Sequence, residues 1–309
     1  MSAVATPRAP RRPRDGESSG RGILSAADRA HPVVGRAVKA VQGALLLVLL
    51  IIGLGPMLWL AKAAVTPTQD TLRTPLALWP SGVDWANLYT AWVRFDLDLH
   101  MVNTIVIAAG SWFVQLLVAT TAGYALSVLR PRYRGVVTAV VLATLFVPAV
   151  VLLVPLYLTV LDPPLLGTSL VNSFWAVWLP AGANAFNVLL VQRFFDSLPR
   201  EVFEAARVDG AGPFRLFWSV VLPMSRPILG VVSVFAVIAA WKDFLWPMLV
   251  LPDPAVQPLS VRLPALKSFV ELDVFLAALA ISSIIPIALF LVFQRTFLRG
   301  GGLGGAVKG

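Results

Sequence analysis

Six long apolar runs, separated by polar segments, make up most of this chain. Each run is long enough to cross a hydrocarbon core of about 30 Å as a helix that rises about 1.5 Å per residue. Such segments have to be helical, because lipid offers no hydrogen-bond partner to an exposed backbone. The predicted spans cover residues 40–61, 101–129, 135–161, 163–192, 227–252 and 274–294. The pattern therefore predicts an all-α integral membrane protein with about six transmembrane helices.

The two ends of the chain differ from the apolar part in composition. Residues 1–39 are rich in Arg, Pro, Ser and Gly and have no apolar period, which predicts a disordered basic tail. Residues 300–309 are rich in glycine and form a second predicted tail. Residues 40–299 between them are the predicted transmembrane domain, which includes a long polar loop at residues 194–227.

Basic residues set the predicted orientation, because Lys and Arg gather on the cytoplasmic side of a membrane protein. With an even number of spans the two termini share one side, and that side carries most of the 25 lysines and arginines. The opposite side carries Lys62, Arg73, Arg94, Arg262 and Lys267. Both termini are therefore predicted to be cytoplasmic.

Composition excludes several classes of protein. The 309 residues are 58% hydrophobic and 13% charged, whereas a soluble domain carries roughly 25% charged residues. Cysteine is absent and the two histidines are far apart, so neither a thiolate site nor a histidine-based metal site is expected. The net charge of +9 is explained better by the basic cytoplasmic side than by nucleic-acid binding.

The loop at residues 194–227 is predicted to be a rigid element built from two short helices. Pro199 suits the first turn of a helix, where its missing N–H is not needed. Asp209-Gly210 ends that helix, since Gly tolerates the positive φ of a helix C-terminus. Pro213 then begins a second short helix that leads into the fifth span.

A motif within this loop resembles the signature of permease subunits of binding-protein-dependent ABC importers. The motif consists of Glu204-Ala205-Ala206, Gly210, Val220 and Leu222-Pro223. In that family the loop is a coupling helix that seats in a cleft on the ATPase subunit. The resemblance implies ATPase-coupling roles for Glu204, Ala205, Ala206, Asp209, Gly210, Leu222 and Pro223.

Further segments resemble the carbohydrate-uptake type of these permeases, in particular the maltose-type second permease. They are residues 122–126 at the end of the second span, residues 241–247, and the C-terminal residues 305–309. Lys242 departs from the asparagine usual in the second segment. The resemblance implies import of a sugar or oligosaccharide across a bacterial inner or plasma membrane.

The same resemblance implies a set of partners and no enzymatic activity in this chain. The expected partners are a second permease, two ATPase subunits and an extracytoplasmic solute-binding protein. No GxxxxGK[ST] motif occurs, so ATP and Mg²⁺ are expected to bind the partner ATPase, and this chain is expected to hold no cofactor. It has no predicted catalytic residue.

Polar residues inside the predicted spans are candidates for a translocation path. A charge at mid-bilayer costs about 2.5–3.5 kcal/mol, so it normally faces protein or a water-filled cavity. Lys242 can instead snorkel towards the interface, and Asn184 and Asn187 can instead connect two helices. The path candidates are Asn184, Asn187, Trp241, Lys242, Asp243 and Trp246.

Other functions stay open at this point. The solute of such an importer could belong to another small class, such as a polyol or a glycerol phosphate. A secondary transporter would need intramembrane coupling carboxylates and an internal repeat, whereas Asp243 is the one carboxylate inside a predicted span. A membrane enzyme would need clustered His, Asp or Glu residues near the membrane, and the sequence shows no such cluster.

Overall fold

All regular elements in the described part of the chain are helices. The computed structural model describes residues 32–77, 79, 81–164 and 166–300. The α-helices are α1 (Pro32–Ala63), α2 (Thr68–Arg73), α3 (Ala86–Arg94), α4 (Leu97–Tyr124), α5 (Arg134–Thr144), α6 (Ala149–Leu161), α7 (Trp175–Gly182), α8 (Ala185–Asp196), α9 (Arg200–Val208), α10 (Pro213–Leu216), α11 (Leu222–Met224), α12 (Arg226–Lys242), α13 (Leu245–Val250), α14 (Leu259–Leu266) and α15 (Leu272–Gly300). Two π-helical segments, Ala125–Leu129 and Phe217–Val221, continue α4 and α10, and short 3-10 turns cover Pro254–Val256 and Lys267–Phe269. The predicted all-helical membrane fold is confirmed.

Three helices among the described residues are long and apolar enough to cross a membrane by themselves. They cover Val33–Ala63, Leu97–Leu129 and Leu272–Leu289. Two further spans would be bent. α5 and α6 meet at 108°, and the helical segment Pro213–Met224 meets α12 at 79°. The chain therefore has three continuous candidate spans, or up to five with the bent pairs, and the count of about six stays a prediction.

Three of the predicted spans are interrupted rather than continuous. The third is broken just before Pro148, because proline disfavours a helical conformation of the residue that precedes it. The fourth is divided at Ala183-Asn184, between α7 and α8, and the fifth ends at Lys242, where Asp243 takes an extended conformation. The fifth run carries the charged pair Lys242-Asp243 at its break, whereas the other two breaks are not visible as gaps in the apolar runs, because hydropathy records composition and not helix continuity.

The N-terminal boundary also differs from the prediction. α1 begins at Pro32, so residues 32–39, expected to belong to the disordered tail, form the first turns of a helix. Proline is favourable at a helix start. Residues 1–31 and 301–309, which make up most of the two predicted tails, lie outside the described residues.

In the unit that ends at Leu58, the leucines, valine and isoleucines of residues 45–52 are exposed, as suits a helix surrounded by lipid.

A polar segment between α1 and α4 is held together by hydrogen bonds within the second unit, which begins at Trp59. Lys62 Nζ donates to the Ala77 carbonyl at 2.6 Å, and Trp59 Nε1 donates to the Pro75 carbonyl at 2.7 Å. The hydroxyl and the N–H of Ser81 donate to Asp70 and hold the pKa of that carboxyl below its usual range. These hydrogen bonds give the described residues of the segment a defined conformation.

α4 is the central helix of the second unit and packs against α7, α8 and α12. Small residues in α4 allow the neighbouring helices to approach it closely. A Cβ atom on Gly123 would lie 2.9 Å from Val191 Cγ1 and 3.2 Å from the backbone nitrogen of Gln192 in α8. This contact lies beside the loop at residues 194–227, so it positions the end of α8 from which the loop begins.

We therefore expect Gly123→Ala to destabilise the protein by about 1–3 kcal/mol, the usual cost of overpacking a tight contact. The check is the thermal unfolding midpoint of the purified chain in detergent. Gly135→Ala is the matched control, because a Cβ there meets nothing within 4 Å, and alanine is favoured over glycine in a helix by up to about 1 kcal/mol. Equal midpoints for the two variants would contradict the close contact.

Candidate functional site

The first helix of the loop ends as the sequence predicts. Gly210 has φ +77°, and two backbone hydrogen bonds close the end of α9. Ala211 N–H donates to Ala206 O at 2.9 Å and Gly210 N–H donates to Arg207 O at 3.0 Å. This is the pattern of a Schellman motif, in which the positive φ turns the chain sharply away from the helix axis. The predicted break and the predicted conformation of Gly210 are therefore confirmed.

The second helix of the loop is more complex than predicted. It begins at Pro213, as expected, but its middle is the π-helical segment Phe217–Val221, and only then does the short α11 follow. Pro223 lacks the N–H that an α-helix needs and its ring crowds the preceding turn. The π segment directly before Pro223 changes the hydrogen-bond register there and accommodates the proline without ending the helix.

The predicted coupling residues divide into an exposed and a packed set. Glu204, Ala205, Asp209, Gly210 and Pro223 are exposed on the surface. Ala206 and Leu222 are partly buried and pack beneath them, against a cluster that includes buried Phe203 and Phe217. The exposed surface of the loop thus combines acidic side chains with apolar ones on an apolar base, which leaves that surface available to a partner protein.

Tyr124 fastens this loop to the end of α4. Its hydroxyl donates to the Pro213 carbonyl at 2.8 Å, and its ring lies 5.0 Å, between centroids, from that of Phe217. The carbonyl of Pro213 belongs to the first turn of α10, so the contact sets the position of the second loop helix. Sequence reasoning noted Tyr124 only as part of a resemblance and missed this role, although a tyrosine inside an apolar run usually signals a hydrogen bond.

A second polar connection joins the chain after α4 to the start of the loop. Asp196 Oδ1 accepts from Ser127 Oγ at 2.9 Å and forms a longer, 3.5 Å ion pair with Arg130 Nη2. Arg130 Nε also donates to the Ser127 carbonyl at 2.6 Å. These three residues form one wall of a cleft that Glu204 and Arg207 complete on the α9 side. Sequence reasoning missed this group, because Asp196 is 69 residues away from Ser127 in the chain.

The structure brings together three of the six path candidates. Asn184, Asp243 and Trp246 line one cavity of about 370 Å³, together with Ser111 and Gln115 of α4. The cavity forms where the fourth and fifth spans are broken, because Asn184 precedes α8 and Asp243 follows α12.

The other three path candidates lie elsewhere. Asn187 is buried in a helix contact, where its Nδ2 donates to Gln115 Oε1 at 2.8 Å, which matches the alternative that it connects two helices. Trp241 lines a different, apolar cavity with residues of α4 and α15. Lys242 is exposed and lines none of the cavities described here. Within the described residues, no group of three or more His, Asp or Glu side chains could hold a metal ion.

The comparisons with known proteins agree on one class of protein, the membrane components of transport systems. Residues 115–300 match the family described as binding-protein-dependent transport system inner membrane component. The chain is 30% identical to the diacetylchitobiose uptake system permease protein NgcG of Streptomyces coelicolor, over 86% of this chain and 88% of that protein. It is 28% identical to the sn-glycerol-3-phosphate transport system permease protein UgpE of Pectobacterium atrosepticum, over 77% of this chain and 86% of that protein.

A solved structure shares the fold. It is a chain of a bacterial ABC transporter involved in the import of the acidic polysaccharide alginate, with a TM-score of 0.74 and 23% sequence identity. The match covers 89% of this chain and 99% of that chain.

We expect Gly210→Val to strain the loop, because a β-branched residue at positive φ costs about 1–3 kcal/mol. Gly212→Val is the matched control two residues away, since Gly212 has φ −69° and a Cβ there meets nothing within 4 Å. Hydrogen–deuterium exchange of residues 200–216 should become faster in the first variant and stay unchanged in the second. Equal exchange in both variants would show that Gly210 does not set the angle between the two loop helices.

Proposed function

The chain belongs to the family of binding-protein-dependent transport system inner membrane components and is a permease subunit of an ABC importer, and we propose that its solute is a sugar or oligosaccharide. The similarity to the diacetylchitobiose permease at 30% identity supports this solute class. The cavity lined by Asn184, Asp243 and Trp246 supports it as well, because a few polar groups and an aromatic side chain stand in a largely apolar lining around a space of about 370 Å³. The similarity to the glycerol-3-phosphate permease keeps a glycerol phosphate as the second candidate.

The loop at residues 194–227 is the proposed contact with the ATPase. The observation that carries this proposal is the combination of a Schellman turn at Gly210 and the exposed carboxylates of Glu204 and Asp209. Tyr124 and Phe217 hold the base of the loop against α4. A loop that is stiff inside and fastened at its base can transmit a displacement, whereas a flexible loop would absorb it.

The proposed complex contains a second permease, homologous or identical, and two ATPase subunits that bind ATP and Mg²⁺. An extracytoplasmic solute-binding protein delivers the solute, and ATPase closure opens the path outward by alternating access. The strong bias of Lys and Arg supports cytoplasmic termini and a cytoplasmic loop at residues 194–227 in a bacterial inner or plasma membrane. A secondary transporter is the alternative hypothesis, and solute uptake that persists without any ATPase would favour it.

Charge reversal at Glu204 tests the proposed contact with the ATPase. Glu204→Lys should insert into the membrane but lose import and shed the ATPase on purification, because an unpaired charge at a buried interface costs about 2–5 kcal/mol. Glu271→Lys is the control, since Glu271 is also exposed but precedes α15 on the predicted extracytoplasmic side. The measurements are ATPase recovery with the purified chain and solute uptake by cells. A Glu204→Lys protein that keeps its ATPase and imports at the parent rate would refute the coupling assignment.

Cysteine labelling tests the orientation, and the chain has no native cysteine to interfere. Gly82→Cys and Ser197→Cys both change exposed positions. A membrane-impermeant maleimide should label the first variant in intact spheroplasts and should label the second only after the membrane is permeabilised. Labelling of position 197 from outside would reverse the proposed orientation.

A further inference from the structure

The cavity lined by Ser111, Gln115, Asn184, Asp243 and Trp246, here called the break cavity, holds one buried polar group that has no partner in the fold. Ser111 is 1% exposed, and its hydroxyl has no hydrogen-bond partner among the described residues. A buried hydroxyl without a partner carries a free-energy cost. Because Ser111 also lines the cavity, its unpaired hydroxyl points to a ligand or water there.

The remaining polar groups of the break cavity are held in fixed positions. Gln115 is 4% exposed and is oriented by the Asn187 amide, which donates to its Oε1. The indole nitrogen of Trp246 donates to the Ala176 carbonyl at 3.0 Å, so the ring cannot turn freely. The Asn184 side chain accepts from the Asn187 N–H at 2.9 Å. An aromatic ring beside oriented amide and hydroxyl groups suits a polyhydroxylated molecule.

The charge that lines the break cavity is negative. Asp243 is its single charged lining residue among those described, and neither Lys nor Arg lines it. Asp243 Oδ1 accepts one long hydrogen bond, 3.4 Å, from the Trp246 N–H. A carboxylate that lacks a cationic neighbour repels an anion and can accept hydrogen bonds from hydroxyl groups.

We infer that the break cavity is a solute subsite within this subunit that accepts neutral polyhydroxylated molecules and excludes anionic ones. Ser111 and Gln115 hydrogen-bond to solute hydroxyl groups, Trp246 forms an apolar wall, and Asp243 sets the selection against anions. The inference rests on the proposed function as a sugar permease and deepens it, because it separates neutral sugars from glycerol phosphates and from acidic saccharides.

The test uses the complete transporter, with this chain, its partner permease and both ATPase subunits, in lipid nanodiscs. The solute-binding protein is omitted so that binding reports on the membrane part. The probes are the neutral disaccharides N,N′-diacetylchitobiose and maltose, and the anion sn-glycerol 3-phosphate, each in radiolabelled form. Equilibrium binding is measured for the parent and for two variants of the cavity, Ser111→Ala and Asp243→Asn.

The parent should bind at least one neutral disaccharide at least about tenfold more tightly than the anion. Ser111→Ala should weaken binding of that disaccharide about three- to tenfold, the usual effect of losing one hydrogen bond. Asp243→Asn should keep the disaccharide affinity within about threefold and strengthen binding of the anion at least about tenfold. Ser233→Ala and Glu271→Gln are the matched controls outside the break cavity and should change neither affinity.

The results separate the two proposals. Each preparation is also assayed for retained ATPase subunits and for ATP hydrolysis. A chain that holds no ATPase contradicts the proposed function. An assembled complex that hydrolyses ATP overturns the subsite alone if it prefers a neutral disaccharide but the two cavity variants behave like the parent. A parent complex that binds the anion as tightly as the disaccharides, or that binds no neutral probe, contradicts the proposed sugar solute as well.

Discussion

Lipid supplies no hydrogen bonds, and this constraint bears on the breaks at Asn184 and Asp243 in the spanning helices. Where a helix breaks inside the membrane, nearby side chains have to satisfy the backbone groups that become free. Asn184 does so at the start of α8, where its side chain accepts from the Asn187 N–H, and Asp243 does so beside α13, where it accepts from the Trp246 N–H. The residues that cap the two breaks therefore also supply polar groups to the cavity between them.

The same helices connect this cavity with the loop. α8 has 12 residues, about 18 Å of helix. It follows Asn184 at the cavity and ends at Asp196 at the base of the loop. α12 lies between Ser225 near the end of the loop and Asp243 at the cavity. Both pack against α4, whose Tyr124 holds the loop and whose Ser111 lines the cavity. Rigid helices of this kind give a structural basis for the proposed coupling between an ATPase and a path.

Several features of the site could be predicted from the sequence because they depend on neighbouring residues. The Asp209-Gly210 step and the helix start at Pro213 follow from local backbone preferences, and both are present as predicted. Other features could not be predicted, because they depend on distant partners. Asn184 and Asn187 are close in sequence, yet one lines the cavity and the other is buried against Gln115. The roles of Asp196 and Arg130 depend on a contact between segments about 66 residues apart.

The sequence by itself determined that this is a helical membrane protein with a stiff polar loop between its fourth and fifth apolar segments. Apolar runs and glycine and proline positions are sufficient for this, because helix formation in lipid and helix termination are local matters. Only the tertiary structure decided where the spans break, which polar residues meet, and that Lys242 lies outside the cavity that Asp243 lines. Those features depend on how closely α4 approaches the neighbouring helices. A packing contact such as that between Gly123 and Val191 cannot be predicted from the sequence, because its two residues lie in different helices.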